Sequence, residues 1–458
     1  MGTCALCAPR RLLGMPKAPS KFDPIPQRLA YGRALRDTVK RIHHDRFTPA
    51  KGRPSVLEAV HQAEPGRVAE LLPIKYGRMS LSPFAFFRGS AQLMAFDLAH
   101  LPSTGIHVQI CGDAHVRNLG AYASADGRIV FDMNDFDETC RAPWEWDLKR
   151  LAASFVLAGR EAGNSDRSCG DAVQGLSQAY REAMKGFATM PAIELARYQV
   201  HRHLDEGPVA RVLGKAERAT AAGTVNKLTV TDRKVGRHFA NRPPLLSRVP
   251  DKTAKQVLRA LESYRDTLGP NRQLVLDAYR PVDVAFKVVG TGSVGTRDYV
   301  VLCFGNGVAD PLILQVKEAV PCCYAPYLPP APPDQHQGKR VAEGQHRLQT
   351  WADPFLGWTQ LDGHQYLVRQ LADHKASIDP TDLKGPALLE YALVCGEIFA
   401  KGHARTGDPA VLAGYCGDSD KLDVALNRFA MTYADQATAD HATFLQAIRG
   451  KQLSARKV

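Results

Sequence analysis

Apolar residues along this chain recur at two different periods, in separate blocks. The runs His107-Val-Gln-Ile-Cys111 and Arg128-Ile-Val-Phe-Asp132 are short and strand-like, and predict two buried strands joined through a turn at Asp126-Gly127. From 146 to 162, Leu148, Leu151, Phe155 and Ala158 fall at helical spacing, which predicts a helix. Residues 284–289 and 299–304 read as strands on either side of a glycine-rich turn, and 312–316 is a third apolar run. Residues 387–403 carry an amphipathic helical pattern. Strands and helices in blocks, rather than in strict alternation, predict an α+β protein with two lobes.

Length and composition change this picture only in part. The 458 residues suggest two to four units at roughly 100–200 residues each. Residues 1–70 read as a basic extension, in which Pro16, Pro19, Pro24 and Pro26 are expected to break any early helix. Residues 71–280 would form one domain, ending in a basic helical segment; 281–380 would form a second, around the glycine turn; 381–458 read as helices packing back on the first. At 45% hydrophobic and 23% charged residues, the usage is that of a globular protein and excludes a disordered or fibrous one. The net charge is +12, and 16 Lys/Arg against 7 Asp/Glu within 197–272 account for nine of it. That excess suits an anionic partner such as a nucleotide, a nucleic acid or a membrane surface. No apolar run approaches the ~18 residues of a membrane span. The opening MGTCALCAPRRLLGMPKAP lacks the apolar core of a secretory signal, so the cytoplasm is the expected compartment. The pairs Cys4/Cys7 and Cys322/Cys323 have no second pair at zinc spacing, and neither metal nor disulfide use is expected of them.

Two constellations carry chemistry. Cys111-Gly-Asp-Ala-His-Val-Arg-Asn118 follows one strand and precedes another that runs into Asn134-Asp-Phe-Asp-Glu138. Phosphoryl transfer needs a carboxylate near the acceptor hydroxyl, and an amide with a second carboxylate to hold magnesium against phosphates. Asp113 fits the first role, Asn118 and Asp135 the second, although Asp and Asn are also ordinary turn formers. The other constellation is Gly290-Thr-Gly-Ser-Val-Gly295, between two strand-like runs. Glycines in such a hairpin let backbone N–H groups approach phosphate oxygens. Gly290, Gly292, Ser293 and Gly295 are thus candidate nucleotide contacts. Lys317, closing the next apolar run, would neutralise the phosphates, with Glu343, or its rival Glu318, orienting it. In a kinase-like chain the glycine hairpin comes first; here it comes last. A circular permutation, with the catalytic lobe encoded before the nucleotide lobe, accounts for both blocks at once.

The segments RMSLSPFAFFRG (78–89), CGDAHVRNLG, FDMNDFDET, WEWDLKRLAAS, VVGTGSVGTRDYVVL, LILQVKEA, EGQHRLQ, YLVRQL, AKGHARTGD and RFAMTYADQ resemble a bacterial family known as domain of unknown function 2252, from about 71 to 445. More distantly, the order Asp113, His115, Asn118, Asp135, Asp147 resembles the aminoglycoside and choline phosphotransferase branch of the kinase-like superfamily. That branch has H-G-D-x-H-x-x-N, then D-F-[DG], then a W-D-L helix start. Cys111 replaces its first His, and the longer gap to Asp135 leaves Asp132 as an alternative metal ligand. The resemblance implies a two-lobed protein kinase-like fold, ATP and Mg²⁺ as cofactors, Asp113 and His115 as catalytic residues, and Asp147 as an anchor of the loop. It implies phosphoryl transfer to a small-molecule or protein hydroxyl, with nucleotidyl transfer as a variant. The rival expectation is a nucleotide-binding pseudoenzyme or regulator whose basic segment binds nucleic acid or another polyanion. Arg88, Arg78 and Lys75 are further candidates for anion contacts. Trp144 and Trp146 are expected in lobe packing, and His403 and Arg405 at a helix end.

Overall fold

The segment carrying Asp113 hangs between two separate antiparallel ladders. In the computed structural model, which describes residues 17–124, 126–200, 207–234, 236–371 and 375–456, β1 (His107–Ile110) pairs with β4 (Cys140–Pro143). β2 (Leu119–Ala123) pairs with β3 (Ile129–Met133). The expected direct connection of 107–111 to 128–132 is therefore corrected: β2 intervenes, and the Asp126-Gly127 turn closes β2 onto β3. Leu-Gly-Ala-Tyr-Ala lacks β-branched residues, so β2 gives little strand signal in the sequence. The Cys4/Cys7 pair lies outside the described residues.

The helix Trp144–Glu161 follows β4 and is buried on nearly every side from Trp144 to Gly159. Helices Asp166–Phe187, Pro386–Thr406 and Lys421–Arg449 surround it and share one apolar core with β1–β4. The N-terminal prolines open a helix instead of breaking one: Ile25–Thr38 begins directly after Pro24, with Pro26 in its first turn. A proline's missing N–H is unpaired there in any case. This helix crosses Pro409–Cys416 so closely that a Cβ on Gly32 would fall 2.1 Å from the Val411 carbonyl oxygen.

A second core lies around a six-stranded antiparallel sheet. After the hairpin β5 (Thr229–Asp232) and β6 (Gly236–Phe239) come β7 (Leu246–Arg248), β8 (Arg280–Lys287), β9 (Asp298–Phe304), β10 (Pro311–Glu318), β11 (Gly357–Leu361) and β12 (His364–Gln370). Their spatial order is β11-β12-β10-β9-β8-β7. Alternate residues serve opposite faces: Val301, Leu312 and Leu314 pack with the helix Asp251–Arg265, whereas Val300, Leu302 and Ile313 pack with Phe239 and Ala285. Residues 246–265 of the basic stretch thus pack with this sheet. The short β13 (Ala376–Ser377) leaves the sheet region and pairs with β2, joining the two blocks. The helix Gln337–Leu348 packs on β11 and β12 and also touches β1 and Pro386–Thr406. The architecture is α+β. Among the described residues no helix is long and apolar enough to cross a membrane.

Candidate active site

The loop after β1 is held from beneath by Asp147. Its carboxylate accepts from the Cys111 and Gly112 amides at 2.8 and 3.0 Å, and His403 Nε2 lies 3.3 Å away. Tyr180 hydroxyl in turn meets His403 Nδ1 at 2.9 Å, so residues of three helices fix the loop. Gly112 has φ +87°, and a Cβ there would sit 2.2 Å from the Glu138 carbonyl oxygen. Only glycine allows the 111–118 loop to pass so close to the Asn134–Glu138 loop. Asn118 sews the two loops together, its Nδ2 donating to the carbonyls of Asp113 (2.8 Å) and Asp135 (3.1 Å). That leaves Asn118 Oδ1 as the atom with which it could ligate a cation.

Asp113 has a partner that the sequence did not single out. Arg150, fully buried three residues beyond Asp147, reaches Asp113 Oδ1 with Nη2 at 2.5 Å and Nε at 2.8 Å. Its guanidinium lies over the Phe87 ring and donates to the Phe87 carbonyl. Burial raises the Asp113 carboxyl above its ordinary value, and the Arg150 charge only partly opposes this. Asp113 Oδ2 stands 3.6 Å from His115 Nε2. Burial, with Arg88 and Arg150 nearby, holds His115 well below its ordinary value, so this imidazole is neutral.

Across the cleft, Lys317 near the end of β10 is 3% exposed and donates to Asp137 Oδ2 at 2.5 Å. Asp135 Oδ1 is 4.0 Å from the same ammonium. Burial would lower Lys317, but the Asp137 and Asp135 charges outweigh it and the net shift is upward. Desolvation in the cleft works against Asp135, yet Lys317 and Arg369 hold its carboxyl down at about 2. Asp137 moves the other way, raised by desolvation and by Asp135 itself. The sequence pointed to Asp135 and passed over Asp137. Glu343 is not brought to Lys317: on the outer side of Gln337–Leu348 it pairs with Arg347 at 3.0 Å and Lys339 at 3.8 Å. Glu318 pairs with Arg297 and His364 instead. Asp132 is buried against Lys401 and does not line the cavity.

The glycine turn roofs the same cleft. Gly290 and Gly295 adopt φ +66° and +97°, where a side chain is strained. Ser293 Oγ donates to the Val289 carbonyl at 3.1 Å and tightens the turn. The segment before Leu72 clamps it: Val68 N–H donates to the Gly295 carbonyl at 2.7 Å, and Arg67 to the Val294 carbonyl at 2.5 Å. Arg78 is spent on the Gly290 carbonyl. Lys75 is buried in this region, pushed down to about 7 by burial and by Arg67. Trp144 stacks on Tyr180 and Trp146 on Tyr324, both within the core.

Between roof and floor is a cavity of about 200 Å³. It is lined by Asp113, His115, Asn118 and Asp135 from the first constellation and by Gly290, Gly292 and Ser293 from the second. A smaller cavity of about 80 Å³ continues past Asn134, Arg369 and Lys375 toward Tyr122 and Leu371. Among the described residues no three His, Cys, Asp or Glu side chains cluster as a metal cage. Asp135, Asp137 and Asn118 Oδ1 offer hard oxygen donors, the set that suits a magnesium ion completed by water and phosphate. The depressed Asp135 carboxyl fits that use, because it stays ionised.

A family model described as "Uncharacterized protein conserved in bacteria (DUF2252)" matches residues 67–447. No curated protein and no solved structure matches the chain.

Proposed function

From a chain that belongs to the bacterial DUF2252 family, and from this cleft, we propose an ATP- and Mg²⁺-dependent phosphotransferase on a circularly permuted kinase-like fold, acting on a hydroxyl acceptor. The observation that carries the reading is that Asp137, which lines one cavity with the glycine turn and Asp113, holds Lys317 from 180 residues away in the chain. Within the second block the order is glycine hairpin, lysine on the following strand, then a helix, as in kinase-like nucleotide lobes. The two blocks face each other although their order in the chain is exchanged.

The residues divide the work as follows. The acceptor oxygen bonds to the terminal phosphorus while the bond from that phosphorus to the bridging oxygen breaks, and the diphosphate leaves with the electron pair. The acceptor's proton goes to Asp113, whose raised carboxyl suits a base and whose Oδ1 is fixed by Arg150, leaving Oδ2 to receive it. Lys317 and Arg369 supply positive charge on the phosphate side. Asn118, Asp135 and Asp137 would hold magnesium, which when bound neutralises phosphate charge. His115, neutral and buried, orients the acceptor side without adding charge. Catalysis on this reading is positioning and electrostatics.

The test is ATP turnover, measured as ADP release with a panel of alcohols, in wild type, Asp113→Asn and Asp135→Ala. Loss of the base is expected to cost ~10²–10⁴-fold, and loss of Asp135 at least as much. Undiminished turnover in Asp135→Ala would refute the assignment.

A further inference from the structure

Arg88 is the odd member of the cleft. It sits near the end of the short helix Pro83–Gly89, one residue after the Phe87 carbonyl that receives Arg150. Its Nε is buried, and no hydrogen bond or ion pair among the described residues engages the guanidinium. The Phe84 ring lies 5.8 Å from its Cζ. Burial, with Arg117 nearby, pushes it down to about 10. Arg150 shows the contrast: fully buried where Arg88 is partly buried, it has a carboxylate and a carbonyl. Arg150 has also taken Asp113 Oδ1, the nearest acid that could have served Arg88. The charges of Asp113, Asp135 and Glu161 reach Arg88 without a hydrogen bond, and a partly buried cation whose buried donor no protein acceptor engages is costly. Such a group is retained where a ligand completes it.

Its place shows which ligand. The cavity lining already has Arg369 and Lys375, which together with Lys317, buried behind Asp137, bear on Asp135 and would serve the phosphates. Arg88 shares the lining with Arg117, Asp113 and His115, and its charge bears on His115. Its carbonyl oxygen is 3.3 Å from where a Gly292 Cβ would stand, directly under the glycine turn. Glu138 also lines the cavity, but its carboxylate accepts from the Cys323 amide at 2.5 Å. An acceptor entering beside Asp113 therefore meets two guanidinium groups and a neutral imidazole.

We propose that the acceptor is an anionic alcohol, a hydroxyl compound bearing a carboxylate or phosphate, whose oxyanion is bound by Arg88 and Arg117 while its hydroxyl faces Asp113. The acceptor role rests on the phosphotransferase reading; the oxyanion site does not. Arg88 presents a planar fork matched to two oxyanion oxygens.

Binding is measured by calorimetry on the full chain, without nucleotide and with the non-hydrolysable analogue Mg-AMPPNP. The probes are D-glycerate and glycerol 3-phosphate, against glycerol and choline as neutral and cationic controls. In wild type at least one of the two anions is expected to bind, which also separates carboxylate from phosphate, and both controls to fail. Arg88→Gln is expected to weaken that anion ~10–100-fold, the worth of a charge-assisted hydrogen bond, with Mg-AMPPNP affinity unchanged. Arg88→Lys, which keeps the charge and loses the fork, should fall between and serves if Arg88→Gln does not fold. Binding of neither anion by wild type, or preference for choline, overturns the proposal. Parallel loss of Mg-AMPPNP in Arg88→Gln also overturns it, by assigning Arg88 to the nucleotide. Arg88-dependent anion binding in a wild type that ignores Mg-AMPPNP would refute the phosphotransferase reading and the acceptor role together, while leaving the oxyanion site.

Discussion

Lys317 on β10 donates to Asp137 in the loop before β4, tying the sheet block to the helical block where Asp137 lines the cleft. Asp137 is a third exposed and Lys317 scarcely at all, so the pair is half-solvated and its loss costs less than that of a fully enclosed one. Lys317→Ala should fold, with stability lower by about 1–3 kcal/mol. It should also raise the Asp135 carboxyl, because Lys317 is the largest influence lowering it. Carboxylate titration followed by NMR checks the direction.

Arg150 and Asp113 are the tighter pair. Arg150→Gln leaves Asp113 with burial and without its counter-charge, so the carboxyl should rise further. If Asp113 is the base, the acid limb of the pH–rate profile then moves to higher pH in the variant. A stability loss of about 3–5 kcal/mol should accompany it, as when one partner of a buried pair is removed. An unmoved acid limb would assign the base elsewhere.

Asp132 and Asp135 should separate by function. Asp132 is buried with Lys401 as its partner, and Asp132→Asn should lower thermal stability without changing the magnesium dependence of nucleotide binding. Asp135→Asn should do the reverse, raising the magnesium concentration for half-maximal binding severalfold. Titrations of both variants with Mg²⁺ at fixed ATP decide this.

Asp298 gives a pH signature in stability. It lies on β9 opposite Lys317, and burial pushes its carboxyl up to about 7 against the opposing pull of Lys317 and Gln315. Between about pH 4 and 7 the folded chain therefore holds a proton that the unfolded chain has released. The contribution to stability is full below the unfolded value and is lost as pH rises through about 7, at up to about 1.4 kcal/mol per unit. Asp298→Asn removes this slope, so its melting temperature should gain on wild type between pH 5 and pH 8. An equal difference at both pH values would contradict the assignment.

The features legible in the sequence were those written in consecutive residues. The turn Gly290–Gly295, the run Gly112–Asn118 and Asn134–Glu138 need no tertiary information, because their spacing carries their chemistry. Arg150, Asp137 and Arg67 were passed over because their significance lies in partners 37, 180 and 227 positions away. Glu343 illustrates the converse: its helix was found, but helical phase turns the side chain outward to Arg347 and Lys339 at i+4 and i−4. β2 has little sequence signal for want of β-branched residues, and the early helix is masked by prolines that stand where a helix starts rather than inside one.

The central claim is a nucleotide held between the glycine turn and Asp135, with Lys317 on its phosphates. It is tested most directly by thermal unfolding of wild type and Lys317→Ala, with and without millimolar Mg-ATP. A ligand at 100 times its Kd stabilises by about 2.7 kcal/mol, a shift of roughly 2–4 °C or more in a chain of this size. The account predicts a magnesium-dependent upward shift in wild type that is absent from Lys317→Ala. No shift in wild type, or an equal shift in both proteins, would contradict it.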